Sequence, residues 1–174
     1  MLGLITRVYR LIGDDSGDPE FSADEVQEAL DRYQIRHTQT CLAGVPVIES
    51  GTLSFYEFRA AVGEWESTAV LYDNVFNVID DGDYTEDPQQ GVWTFTVGLT
   101  TPYVYATGKS YDVYGAAADL SEAWASKLAR KTDMADAQMS LKRSQMSASL
   151  REQAARFRAQ QRPRGARQVR SDVR

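Results

Sequence analysis

Cysteine and histidine are nearly missing from this chain: Cys41 and His37 are the only examples in 174 residues. A single cysteine excludes an internal disulfide framework. A single histidine excludes most zinc sites and argues against a histidine-based catalytic triad. No apolar run reaches the roughly 18 residues that a membrane-spanning helix needs. The stretch from Met1 to Ile12 carries Arg7 and Arg10 inside an apolar pattern and has no small-residue cleavage site, so a secretory signal is not expected there. A phosphate-binding loop is also missing. Gly108-Lys109-Ser110 has the closing letters of that motif, but Tyr103 stands where its first glycine belongs.

What remains is close to an average soluble composition, 43% hydrophobic and 25% charged, in a 19.5 kDa chain suited to one domain with an added lobe or tail. The net charge of −6 conceals a division. Residues 1–139 carry nine Lys/Arg against 23 Asp/Glu, whereas residues 140–174 carry ten Lys/Arg against Glu152 and Asp172 alone. An acidic body with a basic C-terminal arm points to binding something acidic, or to a tail that docks on a like-built neighbour.

Along the chain, Leu4, Val8, Leu11 and Ile12 fall at helical spacing, and Gly13 ends that helix. Ser22-Ala23-Asp24-Glu25 is a capping box, with Phe21 and Val26 placed for a hydrophobic staple, and it opens a helix expected over about 22–36. From His37 to Thr107 the period changes. Val75–Ile79, Gly91–Val97 and Tyr103–Ala106 read as strands, and Ala69–Tyr72 and Val45–Ile48 as weaker ones, with Pro46 confining the last to an edge. Asp80–Pro88 reads as a polar connection. Helix returns from Ser110, and a last helix is expected over about 141–161, stopped by Pro163. The fold class expected is α+β: a small bundle of about four helices with an inserted antiparallel β lobe and an extended basic C-terminal arm. Its parts are residues 1–36 and 108–161 as the bundle, 37–107 as the lobe and 162–174 as the arm. Val26, Leu30, Tyr114, Trp124, Leu128, Leu150 and Phe157 are its expected helical core.

The candidate chemistry is thin. Counted from Asp81, the acidic segment places Glu86 and Val92 where a calcium loop needs glycine and glutamate, so it reads as a solvated hairpin loop. The Asp14–Asp18 turn reads the same way. His37 and Cys41, four apart, lack an evident orienting group and oxyanion site. No catalytic residue, metal site or cofactor is therefore expected. The arm is more informative: Arg162, Arg164, Arg167, Arg170 and Arg174 place five guanidinium groups in 13 residues with no lysine among them. Arginine is favoured where planar, two-pronged pairing to carboxylate or phosphate matters, and 13 extended residues span roughly 40 Å. A protein-docking arm, a nucleic-acid contact and a solvated tail all fit this composition. The arm has no aromatic residue for stacking on bases.

The order of elements resembles the head-to-tail adaptor (connector) proteins of tailed double-stranded DNA bacteriophages. Leu11-Ile12-Gly13-Asp14 closes one helix, and Phe21-Ser22-Ala23-Asp24-Glu25-Val26 opens the next. After the lobe, Tyr111-Asp112-Val113-Tyr114-Gly115-Ala116-Ala117-Ala118-Asp119-Leu120 continues to Trp124, and Leu141-Lys142-Arg143-Ser144-Gln145-Met146 announces the last helix. The resemblance implies a non-catalytic virion protein, made in the host cytoplasm and built into the capsid–tail junction as a dodecameric ring. Its implied partners are the portal protein, which the C-terminal arm grips, a stopper or tail-completion protein, its own copies, and double-stranded DNA passing through the channel without sequence recognition. No membrane is involved. A small DNA-binding or regulatory protein acting through the basic tail is the other reading of the same charges.

Overall fold

Helix α1 (Leu2–Ile12) buries Leu4, Val8 and Ile12, one residue per turn. The computed structural model describes residues 2–14, 19–49, 51–132 and 137–162 of the chain. The helix closes in a Schellman motif. Gly13 takes a left-handed φ of 74°, its N–H donates to the Arg10 carbonyl at 3.4 Å, and the Asp14 N–H donates to the Tyr9 carbonyl at 3.0 Å. The Asp14 carboxylate then accepts from the N–H groups of Glu20 and Phe21 at 2.9 and 3.2 Å, which holds the chain for the next start.

Helix α2 (Ala23–Arg32) begins with the capping box: the Glu25 N–H donates to Ser22 Oγ and the Ser22 N–H to Glu25 Oε2. Phe21 and Val26 are both buried in one cluster, as a staple requires. The helix ends at Arg32, short of the expected 36, because Gln34 to His37 pair with the strand that ends at Tyr111. Tertiary pairing overrides local helical preference there.

Six antiparallel strands follow: β1 (Gln34–Glu49), β2 (Thr52–Arg59), β3 (Val70–Tyr72), β4 (Tyr84–Asp87), β5 (Val92–Leu99) and β6 (Tyr103–Tyr111). They form one sheet in the order β3-β6-β1-β2-β5-β4. Helices α3 (Val113–Thr132) and α4 (Ala137–Gln160) complete the chain. The expected small helical bundle is therefore wrong. Strands take 34% of the chain against 42% for helices, and the sheet curves into a half-barrel.

Three local features account for the error. Strand β1 has 16 residues and pairs with β6 as far as Ala43 and with β2 from Ala43 onward. Its register shifts between His37 and Thr40, where Gln39 adopts φ 46°, and again between Val45 and Pro46. Both shifts erase the alternation that marks a strand. Conversely, the expected strand at Val75–Ile79 is a turn. Asp73 Oδ1 accepts from the N–H groups of Val75 and Asn77 at 2.9 and 2.8 Å, and Phe76 takes φ 65°. Inside the expected polar connection, Asp81–Asp83 form a 3-10 turn that leads into β4.

Two cores result. The helical one gathers α1, α2 and the start of α3, with Tyr33, Tyr111 and Phe157. Its central element is α3, which packs against the other three helices and presents Ala116, Ala117 and Ala118 fully buried. A Cβ on Gly115 would lie 2.5 Å from the Tyr33 ring, so that ring rests directly on the helix backbone. The sheet core is aromatic. Trp93 stands edge-on to Trp65 at 5.4 Å, and Phe58 edge-on to Phe95 at 5.3 Å, around Leu42, Leu71 and Val104.

Of the expected helical core, Val26 and Leu30 are fully buried and Leu150 and Phe157 are buried. Tyr114, Trp124 and Leu128 are half-buried.

Candidate functional site: the root of the basic arm

The arm leaves the body where the two cores meet. Asp112 separates β6 from α3 and caps that helix, its Oδ1 accepting from the Gly115 N–H at 3.2 Å. Its other oxygen, Oδ2, accepts from the backbone N–H of Arg162 at 3.1 Å. One carboxylate thus fixes the start of α3 and the chain just beyond α4. The Asp112 N–H donates to the Tyr33 carbonyl at 3.1 Å, which ties the same point to the end of α2.

Arg162 reaches the sheet side as well, donating from Nη2 to the Gly63 carbonyl at 3.0 Å. The segment after β2 is held for this by backbone bonds to the β4–β5 turn: Glu64 N–H to Gln89 carbonyl at 3.1 Å and Trp65 N–H to Pro88 carbonyl at 2.8 Å. A Cβ on Gly63 would sit 2.3 Å from the Gln89 carbonyl oxygen, so only glycine fits this approach.

Glu64 adopts φ 59°, an uncommon conformation for a side-chain-bearing residue. Its carboxylate pairs with Arg7 of α1. Burial pushes the Glu64 carboxyl above its ordinary range, while the positive charges of Arg7 and Arg162 pull it back. Farther up α4, Arg158 grips α3 with a fork on Glu122 at 3.0 and 2.8 Å and a further bond to Asp119 at 3.3 Å. The end of α4 is thereby bound to α3 and its extension to the sheet.

His37 lies beside this seat, stacked on Trp65 at 4.3 Å with its Nε2 2.8 Å from Ser110 Oγ. Burial lowers its pKa, and the Arg162 charge adds to the effect. A serine–histidine pair invites a nucleophilic reading. Ser110 is fully buried on β6, however, out of reach of a substrate carbonyl, and the bond joins β1 to β6. Among the described residues, no group of three or more His, Cys, Asp or Glu could hold a metal ion.

Of the five arginines expected to dock a partner, the structure places Arg162 at this seat. Arg164, Arg167, Arg170 and Arg174 lie outside the described residues. The seat itself, made by Asp112, Gly63, Glu64 and Arg7, escapes sequence reading. Only Asp112 carries a local signal, as an aspartate directly before a helix.

A second surface stands at the other end of β1. The β1–β2 hairpin projects past the last pairs with the neighbouring strands, Ala43 with Tyr103 and Phe55 with Leu99. It leaves Val47, Ile48 and Leu53 exposed. Val75, Phe76 and Val78 in the turn after β3, Val97 on β5 and Tyr103 on β6 are further exposed apolar residues. Comparison with protein-family models, curated proteins and solved structures finds no match for this chain.

Proposed function

We propose that this protein is a structural adaptor of a tailed-phage neck, a ring-forming, non-catalytic subunit that joins the capsid portal to a stopper or tail component around the DNA channel. The reading no longer leans on a helical bundle. It is carried by one observation: two surfaces of different chemistry stand at opposite ends of β1, the anchored root of an arginine arm and an exposed apolar hairpin. Sixteen extended residues measure about 50 Å along the strand. An adaptor needs two separate contacts, and a firmly seated root lets a short arm act on its partner without loosening the body. Many arms held in one ring act together, so each needs only modest affinity.

The test is electron microscopy of the full chain mixed with the portal ring of the same genome, averaged without imposed symmetry. The expected result is an added ring on the portal, lost when residues 163–174 are deleted. An unaltered portal, with salt-sensitive retention of the chain on DNA, overturns the adaptor in favour of a DNA-binding protein acting through its tail.

A further inference from the structure

The turn after β3, the 3-10 turn, β5 and the start of β6 surround an open groove of about 590 Å³, where Asp73, Val78, Asp80, Asp83, Val97 and Tyr103 stand. Val78, Val97 and Tyr103 are 66%, 73% and 55% exposed. Exposed apolar residues rimmed by polar ones mark interaction surfaces. A fixed backbone holds them outward. Asp73 captures the turn through Val75 and Asn77, the Ile79 N–H donates to the Leu71 carbonyl at 3.0 Å, and the Phe76 ring lies 5.0 Å from that of Tyr105.

The charge here has one sign. From Ala60 to Gly108 the chain has no Lys, Arg or His, while Asp73, Asp80, Asp81, Asp83, Glu86 and Asp87 fall within 15 residues. None of these six forms an ion pair among the described residues. The helical region pairs its acids instead: Glu28 with Arg32, Glu20 with Lys127, and Asp119 and Glu122 with Arg158. Of the three acids lining the groove, Asp73 is engaged by its turn and Asp80 accepts from the Gly82 N–H at 2.9 Å. The exposed Asp83 carboxylate accepts no hydrogen bond among the described residues.

We infer that this groove docks a short segment of a partner protein in which Lys or Arg side chains alternate with apolar ones. The groove asks for two things at once: positive charge for Asp80 and Asp83, and apolar cover for Val78, Val97 and Tyr103. A segment of that composition supplies both. A nucleic acid meets the carboxylates as like charges. A bare cation leaves the apolar residues in water, and an uncharged apolar segment desolvates the carboxylates with nothing to pair them. The surface continues into the β1–β2 hairpin, because Tyr103 and Leu99, which pair with Ala43 and Phe55 at its root, both line the groove. The inference deepens the adaptor reading: it rests on that reading for the partner's place in the assembly, and on the groove for the chemistry of the segment.

The experiment is fluorescence anisotropy of the full chain with a labelled short peptide of alternating lysine and leucine. A peptide of alternating lysine and serine is run in parallel. The lysine–leucine peptide is expected to bind, and the lysine–serine peptide to bind more weakly. Asp83→Lys should weaken binding about tenfold or more, the scale of one charge-assisted contact, whereas Asp83→Glu should keep most of it. Val97→Ser should weaken it several-fold through the apolar half of the surface. Asp24→Lys, the same charge change on α2, should leave it unaltered. All four positions of substitution are exposed, so the variants keep their fold, which circular dichroism checks. Failure of the wild-type chain to bind overturns the inference, as does equal weakening by Asp24→Lys and Asp83→Lys, the mark of unspecific attraction. Self-association in sedimentation that is lost in Asp83→Lys also overturns it, by giving the groove to a second copy. If no ring forms on the portal while peptide binding depends on Asp83 and Val97, the groove stands and the adaptor falls. If a ring forms and the peptide does not bind, the adaptor stands and the groove falls.

Discussion

The two cores of this protein are held together by opposite means. Around α3 the helices meet through small residues, Ala29, Ala116, Ala117 and Ala118, with Gly115 under the Tyr33 ring. In the half-barrel the interior is filled by large rings, Phe55, Phe58, Trp65, Tyr84, Trp93 and Phe95. The first core gains its tightness from close backbone approach and has no room to add atoms. The second gains it from buried area and cannot lose them. Each should therefore be vulnerable to the change that the other tolerates better.

Trp93→Ala should have the largest effect, about 3–5 kcal/mol, since Trp93 is fully buried and its removal opens a cavity beside Trp65. Urea unfolding measures this, and a midpoint close to wild type would show that the aromatic core is loosely packed. The converse change, Ala117→Leu, should cost about 1–3 kcal/mol through overpacking. If it stabilised the protein, the small-residue helical interface would hold a void rather than a tight seam.

Ser22→Ala should cost about 1 kcal/mol by removing the cap of α2. The hydrogen bonds from the Ser22 backbone N–H and hydroxyl hold the Glu25 carboxyl below its ordinary value of 4.5. The stability from that carboxylate is fully present above 4.5 and is lost as pH falls through the lowered value. The Ser22→Ala penalty, followed by thermal melts across acid pH, should accordingly shrink towards the acid end. The smallest effect belongs to the boundary between the regions. His37 is the only histidine, and its pKa lies below the ordinary 6.5. The unfolded chain then binds the proton more readily, so stability declines as pH falls below about 6.5 until the folded value is reached. His37→Asn should flatten that slope, and the titration of the single imidazole by NMR checks its direction.

The helical region was the more legible of the two in sequence. Its signals are local: Gly13 behind an apolar stripe, and Ser22 with Glu25 in front of another. The sheet hides its strands because its bulges break the period of two. In β2 the buried residues are Phe55 and Phe58, three apart, since the register against β5 shifts between Phe55 and Glu57. The Val75–Ile79 segment misleads in the other direction. It has strand-like composition, but the Asp73 side chain captures its backbone first. The arm was visible as composition, whereas its seat was not, because Arg7, Glu64, Asp112 and Arg162 are brought together only by tertiary structure.

Strand β1 has a mechanical consequence. It runs unbroken from the helical layer to the hairpin tip, bonded to β6 along its first half and to β2 along its second. A pull on the tip directed along the strand loads those backbone hydrogen bonds in shear, all together, instead of peeling them apart in turn. Tension applied at the apolar end is thus carried as one load to Tyr33 and Asp112, the point from which the arm departs. The strand acts as a tie-rod between the two ends of the molecule.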